Sequence, residues 1–387
     1  MGKGKGVGAI FLALGLLVSA CGGGTGTASS DTIKIGVPAP LTGDYASAGE
    51  AIVNAAKLAA QEINDQGGLL GKKVEVIDQD DQCDSQVGVQ AAQKLISQGI
   101  VAAVGGYCSS ASIPEAAEFA KKGIPYLLDA STNPVLTEQN PGTVFRICGR
   151  DDDQGPVAAS FMKDILHANT VAIIHDNTTY AKGLAEAARD AAQKLGMNVV
   201  LFTAITPGEK DFSSVLTQVK RADPDVVYFT GYHAEGGLLV KQARDLGIRA
   251  TLMAGDANQD PTFLQTAGSA ANGAYITTAP LAEFIPAAQS FVQKYKETFK
   301  ASPGAYSVYE YDAMHVLFDA IKRANSTDPK AILAALKETK DFPAITGTIT
   351  FDAKGDRTDK LYMVAVVENG QFKPYMRLEN GQWQKVQ

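Results

Sequence analysis

The chain of 387 residues is poor in histidine and tryptophan, with four of the first and one of the second. No histidine pair sits in HExxH and no serine in a G-x-S-x-G elbow, and no strand runs into a P-loop or a G-x-G-x-x-G turn. The motif-borne forms of zinc proteolysis, serine hydrolysis and nucleotide chemistry therefore have no foothold. His175 and His233 end apolar runs, where catalytic groups often lie, but stand outside any such motif and read as polar surface or supporting residues. Basic runs are missing too: 35 Lys and Arg stand against 42 Asp and Glu, net −7, which makes nucleic acid a poor partner. DQDDQCD and FDAKGDRTD are acid-rich but lack the EF-hand order ending in Glu, so both read as solvated turns and no metal or cofactor is expected. Long hydrophobic runs are absent after the N-terminus, which leaves no candidate membrane span there.

The N-terminus is different. MGKGKG carries Lys3 and Lys5, then VGAIFLALGLLVSA supplies 14 mostly apolar residues ending at Cys21. That is a signal-peptide layout, short for a bilayer span. Val18-Ser19-Ala20-Cys21 resembles the lipobox of bacterial lipoproteins, in which the cysteine carries lipid and becomes the first mature residue. Residues 1–20 are therefore expected to be a signal peptide, and residues 21–30, with GGGTGTASS, a flexible tether. The body would sit at a membrane face outside the cytoplasm, periplasmic or extracellular. Loss of Lys3 and Lys5 takes the net charge from −7 to −9.

Four cysteines are few enough to place. With Cys21 lipidated, Cys83, Cys108 and Cys148 remain, and an oxidising compartment invites one bond among them. Cys83 and Cys108 each follow an apolar run, VEVID and IVAAV, at the same sheet edge, which favours their pairing; a bond to Cys148 stays open. A Cys83–Cys108 bond closes a loop of 25 residues, worth about 3 kcal/mol in chain entropy.

From Thr32 onward, short apolar runs alternate with helical patterns: IKIGVPA with EAIVNAAKLAAQEIND, KVEVID with SQVGVQAAQKLIS, IVAAVGG with IPEAAEFAKKG, and so on to ATLMAG. Successive βα units call for an α/β fold of doubly wound parallel sheets with helices on both faces. The length exceeds what one core usually serves, so two domains are expected. The late elements have no core of their own and should return to the first domain. One lobe is then 31–149 with 280–355, and the other 150–279 with 356–387.

GGYCSSAS (Gly105 to Ser112) lies between a strand and a helix. Two glycines allow close backbone approach, and Ser109 is placed to cap the helix and offer a hydroxyl where helix N–H groups favour an anion. A cap with no ligand is the plain alternative.

DDQCDSQ, GGYCSSAS, DASTNP, DDDQGP, AIIHDNTTYAKGLA, GEKDFS and GYHAEGGLLVKQARDLG occur in that order. Together they resemble the leucine/isoleucine/valine-binding proteins, solute receptors of ABC importers, from about Thr32 to about Gly355. The resemblance implies the type I periplasmic-binding fold: two α/β domains, a three-strand hinge and a ligand cleft. It implies that Ser109 and Thr132 hold the ligand carboxylate, that the Ala130 carbonyl accepts from the ammonium, and that Tyr232 and Asp256 face the ammonium from the other lobe. Tyr45, Tyr107, Cys108, Tyr180 and Tyr306 match positions around the side-chain pocket. A familiar version of the family has glutamate where Asp256 stands. The plain reading of Asp256 is an N-cap of the helix around Gln259 to Thr266. The partners implied are a branched-chain amino acid and an ABC permease, with the protein a lipid-anchored monomer and not an enzyme. Alternatives are another amino acid, an amide or urea-like solute, or a sensor role.

Overall fold

The computed structural model describes residues 32–386 together with Met1, so the signal segment, the tether and Cys21 lie outside the described residues. The chain begins with β1 (Thr32–Ala39), α1 (Ala46–Asp65), β2 (Lys73–Asp80), α2 (Ser85–Ser97), β3 (Ala102–Gly105), α3 (Ser109–Lys122), β4 (Tyr126–Leu128), α4 (Val135–Gln139) and β5 (Val144–Arg146). Next come α5 (Asp151–Ser160), β6 (Thr170–His175), α6 (Thr179–Lys194), β7 (Asn198–Ala204), α7 (Ser213–Ala222), β8 (Val226–Phe229), α8 (His233–Asp245), β9 (Thr251–Ala254), α9 (Pro261–Ala267) and β10 (Tyr275–Thr278). The final set is α10 (Gln289–Phe299), α11 (Ser307–Ala324), α12 (Pro329–Lys337), β11 (Phe342–Ala344), β12 (Gly347–Ile349), β13 (Met363–Glu368), β14 (Gln371–Glu379) and β15 (Gln382–Lys385).

The first sheet is wholly parallel, in the order β2-β1-β3-β4-β5. Its inner strands are apolar end to end because helices cover both faces: β3 and β4 are buried at every residue. The second sheet has the order β15-β14-β13-β10-β9-β8-β6-β7, parallel from β10 to β7 and antiparallel from β10 through β15. The chain passes between the sheets three times: after β5, after β10 and before β13. α10 and α11 pack on α1 beside the first sheet, and a two-stranded ribbon, β11–β12, follows them.

Local chemistry places the turns at the strand ends. Asp84 accepts from the backbone N–H groups of Gln86 and Val87 and starts α2. Before it, Gln82 and Cys83 both have φ near +50°. Asp80 accepts from Gln82 N and Asp81 from Cys83 N, which offsets that strain. The acids of DQDDQCD thus serve a turn that presents Cys83. Cys83 is bonded to Cys108, the residue before α3, and Cys148 is free and buried. Ser109 does not cap α3. The cap position belongs to Cys108, which makes no side-chain cap bond, and Ser109 is the first helical residue.

Candidate functional site

Gly105 and Gly106 turn the chain from β3 into the site with φ of +128° and +99°. A Cβ at Gly106 would lie 2.3 Å from the Tyr126 hydroxyl, and one at Gly105 would lie 2.8 Å from the Pro38 carbonyl. The close approach these glycines allow is to the protein's own fold. The turn delivers the N-terminus of α3, with Ser109 almost fully buried and its Oγ accepting from Asn133 N at 3.4 Å.

The neighbouring loop, Ala130 to Asn133, follows β4. Ser131 N donates to the Gly106 carbonyl, and its hydroxyl donates to Ser112 Oγ at 2.8 Å. Arg146, completely buried at the end of β5, donates to the carbonyls of Ser131 at 2.6 Å and Asn133 at 2.9 Å. Its Nε meets Asp356 Oδ1 at 2.7 Å, and Arg150 pairs with the other Asp356 oxygen. The two guanidinium groups hold the Asp356 carboxyl below its ordinary value despite burial. A buried ion pair from two crossing segments therefore pins the loop that carries Ala130 and Thr132.

From the second sheet come Tyr232, after β8, and Asp256, after β9. Asp256 accepts from the Tyr180 hydroxyl at 2.6 Å and the Tyr306 hydroxyl at 2.7 Å, the second from beside the first sheet. It begins a short turn, Asp256–Asn258, and makes no cap bond; the cap of α9 is Asp260, which accepts from Thr262 N. The helix-cap reading of Asp256 is therefore excluded. Burial raises the Asp256 pKa, and the two tyrosine bonds partly offset that rise. Burial also pushes the hydroxyls of Tyr107, Tyr180, Tyr232 and Tyr306 well above their usual range, so they remain donors.

These groups converge. Tyr107, Ala130, Thr132, Tyr180, Tyr232, Asp256, Ala257 and Tyr306 line one cavity of about 10 Å³, room for about one water. Tyrosine rings form its shell, with centroids 5.1 Å apart for Tyr180–Tyr232, 5.9 Å for Tyr107–Tyr232 and 5.8 Å for Tyr107–Tyr306. A cavity of this size does not hold a leucine-sized molecule as the rings stand. Tyr45, Cys108 and Ser109 stand outside the cavity wall. Tyr45 packs on Tyr232 at 4.8 Å and edge-on to His233 at 5.7 Å. His175 is engaged locally, its Nδ1 accepting from Asn177 N.

Asp151 was not among the expected site residues. It opens α5 just beyond a crossing, fully buried, and its backbone N–H donates to the Thr132 carbonyl. Neither its carboxyl oxygens nor Thr132 Oγ1 completes a well-formed hydrogen bond. Burial pushes Asp151 up to about 8; the nearby Thr132 hydroxyl opposes the rise and the Asp256 charge adds to it. The signal in the sequence was the acid run of RDDDQG at a helix start, which also suits a plain helix N-terminus. The cavity thus has Ala130 and Thr132 on one side, the Asp256 carboxylate on the other and aromatic walls between, with Asp151 bonded through its backbone to Thr132.

Comparison with known proteins follows the same lines. The profile of periplasmic binding proteins matches residues 32–371. A Leu/Ile/Val-binding protein homolog of Brucella abortus is 35% identical over 350 residues, which cover 90% of this chain and 94% of that one. The leucine-binding protein LivK of Thermotoga maritima superposes with a TM-score of 0.83 at 30% identity, covering 88% of this chain and 97% of that one. The branched-chain amino acid transporter substrate-binding protein LivJ of Streptococcus pneumoniae, in complex with isoleucine, gives a TM-score of 0.82 at 29% identity, with 88% and 98% covered.

Proposed function

Because the chain belongs to the periplasmic binding protein family and shares its type I fold, we propose that it is an extracytoplasmic receptor that closes on a branched-chain amino acid and hands it to an ABC importer. The observation that carries this reading is the pairing of opposite chemistries in one small cavity. Thr132 suits a carboxylate, while Asp256 and the Ala130 carbonyl suit an ammonium. The tyrosine shell then favours an apolar side chain, each buried methylene contributing about 0.8 kcal/mol. Names borne by similar proteins, Leu/Ile/Val-binding and leucine-binding, support the same class.

The lobes in this reading are 31–149 with 280–355 and 150–279 with 356–387. The strands of the first sheet fall within the former and those of the second within the latter. Ligand bridging the lobes draws them together by its higher affinity for the closed form. Ser109, Tyr45 and Cys108 join the site as the lobes and rings adjust around the ligand. The role is capture, not catalysis, by a monomer tethered through lipid on Cys21 and presenting its closed surface to a permease.

Ligand-stripped protein is titrated calorimetrically with leucine, isoleucine and valine, and its lobe closure is followed by X-ray scattering. Saturable binding with a smaller radius of gyration is expected. No heat from any of the three, with unchanged scattering, defeats the reading. Mass spectrometry of the native protein tests the anchor: acyl chains on Cys21 are expected, and a different mature N-terminus refutes it.

A further inference from the structure

Outside the cavity wall two turns meet, one from each sheet. Tyr45 stands on the turn between β1 and α1, and Tyr232 and His233 stand where β8 passes into α8. The Tyr45 ring lies 4.8 Å from Tyr232 and 6.3 Å from Tyr107, and edge-on to His233 at 5.7 Å. Tyr107 and Tyr232 line the cavity from opposite sheets, whereas Tyr45 packs on both without lining it. Burial pushes the Tyr45 pKa up, and the charges of Glu235 and Asp176, both from the side of the second sheet, add to the rise. The ring that bridges the two turns therefore stays neutral.

Each turn is fastened to its own side. Asp80, at the end of β2, accepts from Leu41 N at 2.8 Å and from the Thr42 hydroxyl, which fixes the stretch that leads to Tyr45. On the other side Glu235 accepts from Gly208 N at 2.8 Å. Gln242 donates to the Lys210 carbonyl at 2.8 Å and accepts from Phe212 N at 2.7 Å. These bonds hold the loop before α7 against α8 and set the Lys210 ammonium 3.8 Å from Asp44, the neighbour of Tyr45. Both members of that ion pair are exposed, so it adds little, and the ring contacts carry the junction.

We infer that Tyr45 is a latch on the cleft: its ring ties the turn before α1 to the start of α8 and so sets how long a bound amino acid is kept. The inference rests on the receptor reading, in which closure of the lobes traps the ligand. A latch acts on the closed form whichever amino acid lies inside, so its loss shortens the life of every complex by the same factor. A wall of the side-chain pocket acts differently. Its loss weakens leucine about fourfold more than valine, because leucine has one more methylene to bury.

Wild type, Tyr45→Ala and Tyr45→Phe separate the two roles. Tyr45 is only partly buried and sits on a turn, so alanine there removes no fully buried residue. Affinities for leucine and valine are measured by calorimetry, and leucine dissociation by chasing labelled leucine with an excess of unlabelled leucine. Tyr45→Ala loses the ring contacts with Tyr232 and His233 and should release leucine at least about fivefold faster. Its affinities for leucine and valine should fall by the same factor, within about twofold. Tyr45→Phe keeps the ring and should stay within about threefold of wild type throughout. A smaller change in release, a leucine loss that exceeds the valine loss by more than about twofold, or a phenylalanine variant that behaves like alanine overturns the latch and leaves the receptor reading intact. A wild type that binds neither amino acid overturns both.

Discussion

Replacing Asp256 by asparagine separates recognition of an ammonium from the packing of the cleft. The side chain keeps its shape: one tyrosine hydroxyl still donates to Oδ1, and the other accepts from the new amide. Alanine would instead strand two buried hydroxyls, each costing about 1–3 kcal/mol, and would mix loss of closure with loss of recognition. With asparagine, the ammonium exchanges a charge-assisted contact of about 1.5–3 kcal/mol for a neutral one of about 0.5–1.5 kcal/mol. The difference, about 1–2 kcal/mol, corresponds to roughly a 5- to 30-fold loss of leucine affinity. A companion ligand, 4-methylpentanoate, keeps the carboxylate and the isobutyl group and has hydrogen in place of the ammonium. It loses nothing when the charge at position 256 goes, so the leucine-to-4-methylpentanoate preference should fall by about the same factor. Calorimetric titration of wild type and D256N with both ligands yields that ratio directly. An identical ratio in the two proteins would mean that the ammonium does not sit at Asp256, however much both affinities change.

A protonated Asp151 at neutral pH gives the site a proton to release. Arrival of an ammonium favours the ionised carboxyl, so binding at pH 7 should release up to about one proton, read by calorimetry in buffers of different ionisation enthalpy; no buffer dependence refutes it. Asp356→Ala leaves Arg146 buried without its anion and loosens the Ala130–Asn133 loop, so unfolding free energy in urea should drop by about 3–5 kcal/mol and leucine affinity should fall. An unchanged urea midpoint would show that the ion pair does not anchor the crossings. Asp129, buried without a side-chain partner and pushed up to about 8, holds a proton in the fold that it loses when unfolded above about pH 4. Its stabilisation is present at low pH and lost as pH rises toward 8, so Asp129→Asn should stabilise the protein at pH 8 relative to wild type by several kcal/mol and change little at pH 4. Equal effects at both pH values count against it.

The parallel strands were legible because burial on both faces leaves an unbroken apolar run, as in IVAAV before Gly105 and VVYF before Thr230. The Cys83–Cys108 pair was legible as a preference because both residues follow such runs. Period alone did not reveal β13 to β15 as the antiparallel edge of the second sheet, since direction depends on connections that apolar pattern does not encode. Ser109 misled for a different reason. A serine before an apolar helix is an ordinary cap, but here the disulfide-bonded Cys108 holds the cap position and the serine is one residue inward. Asp151 was missed because its significance lies in carboxyl oxygens buried without a well-formed hydrogen bond, which leave no local signature in the chain. The same holds for Arg146. Nothing in RICGRDDD says that this arginine reaches two carbonyls of one loop and a carboxylate 210 residues away. Yet that contact sets where Thr132 stands. The residues that would touch a ligand carried a sequence resemblance, whereas those that position them are joined only by the fold, so mutations of the second kind are where reading from sequence alone will misjudge this protein most.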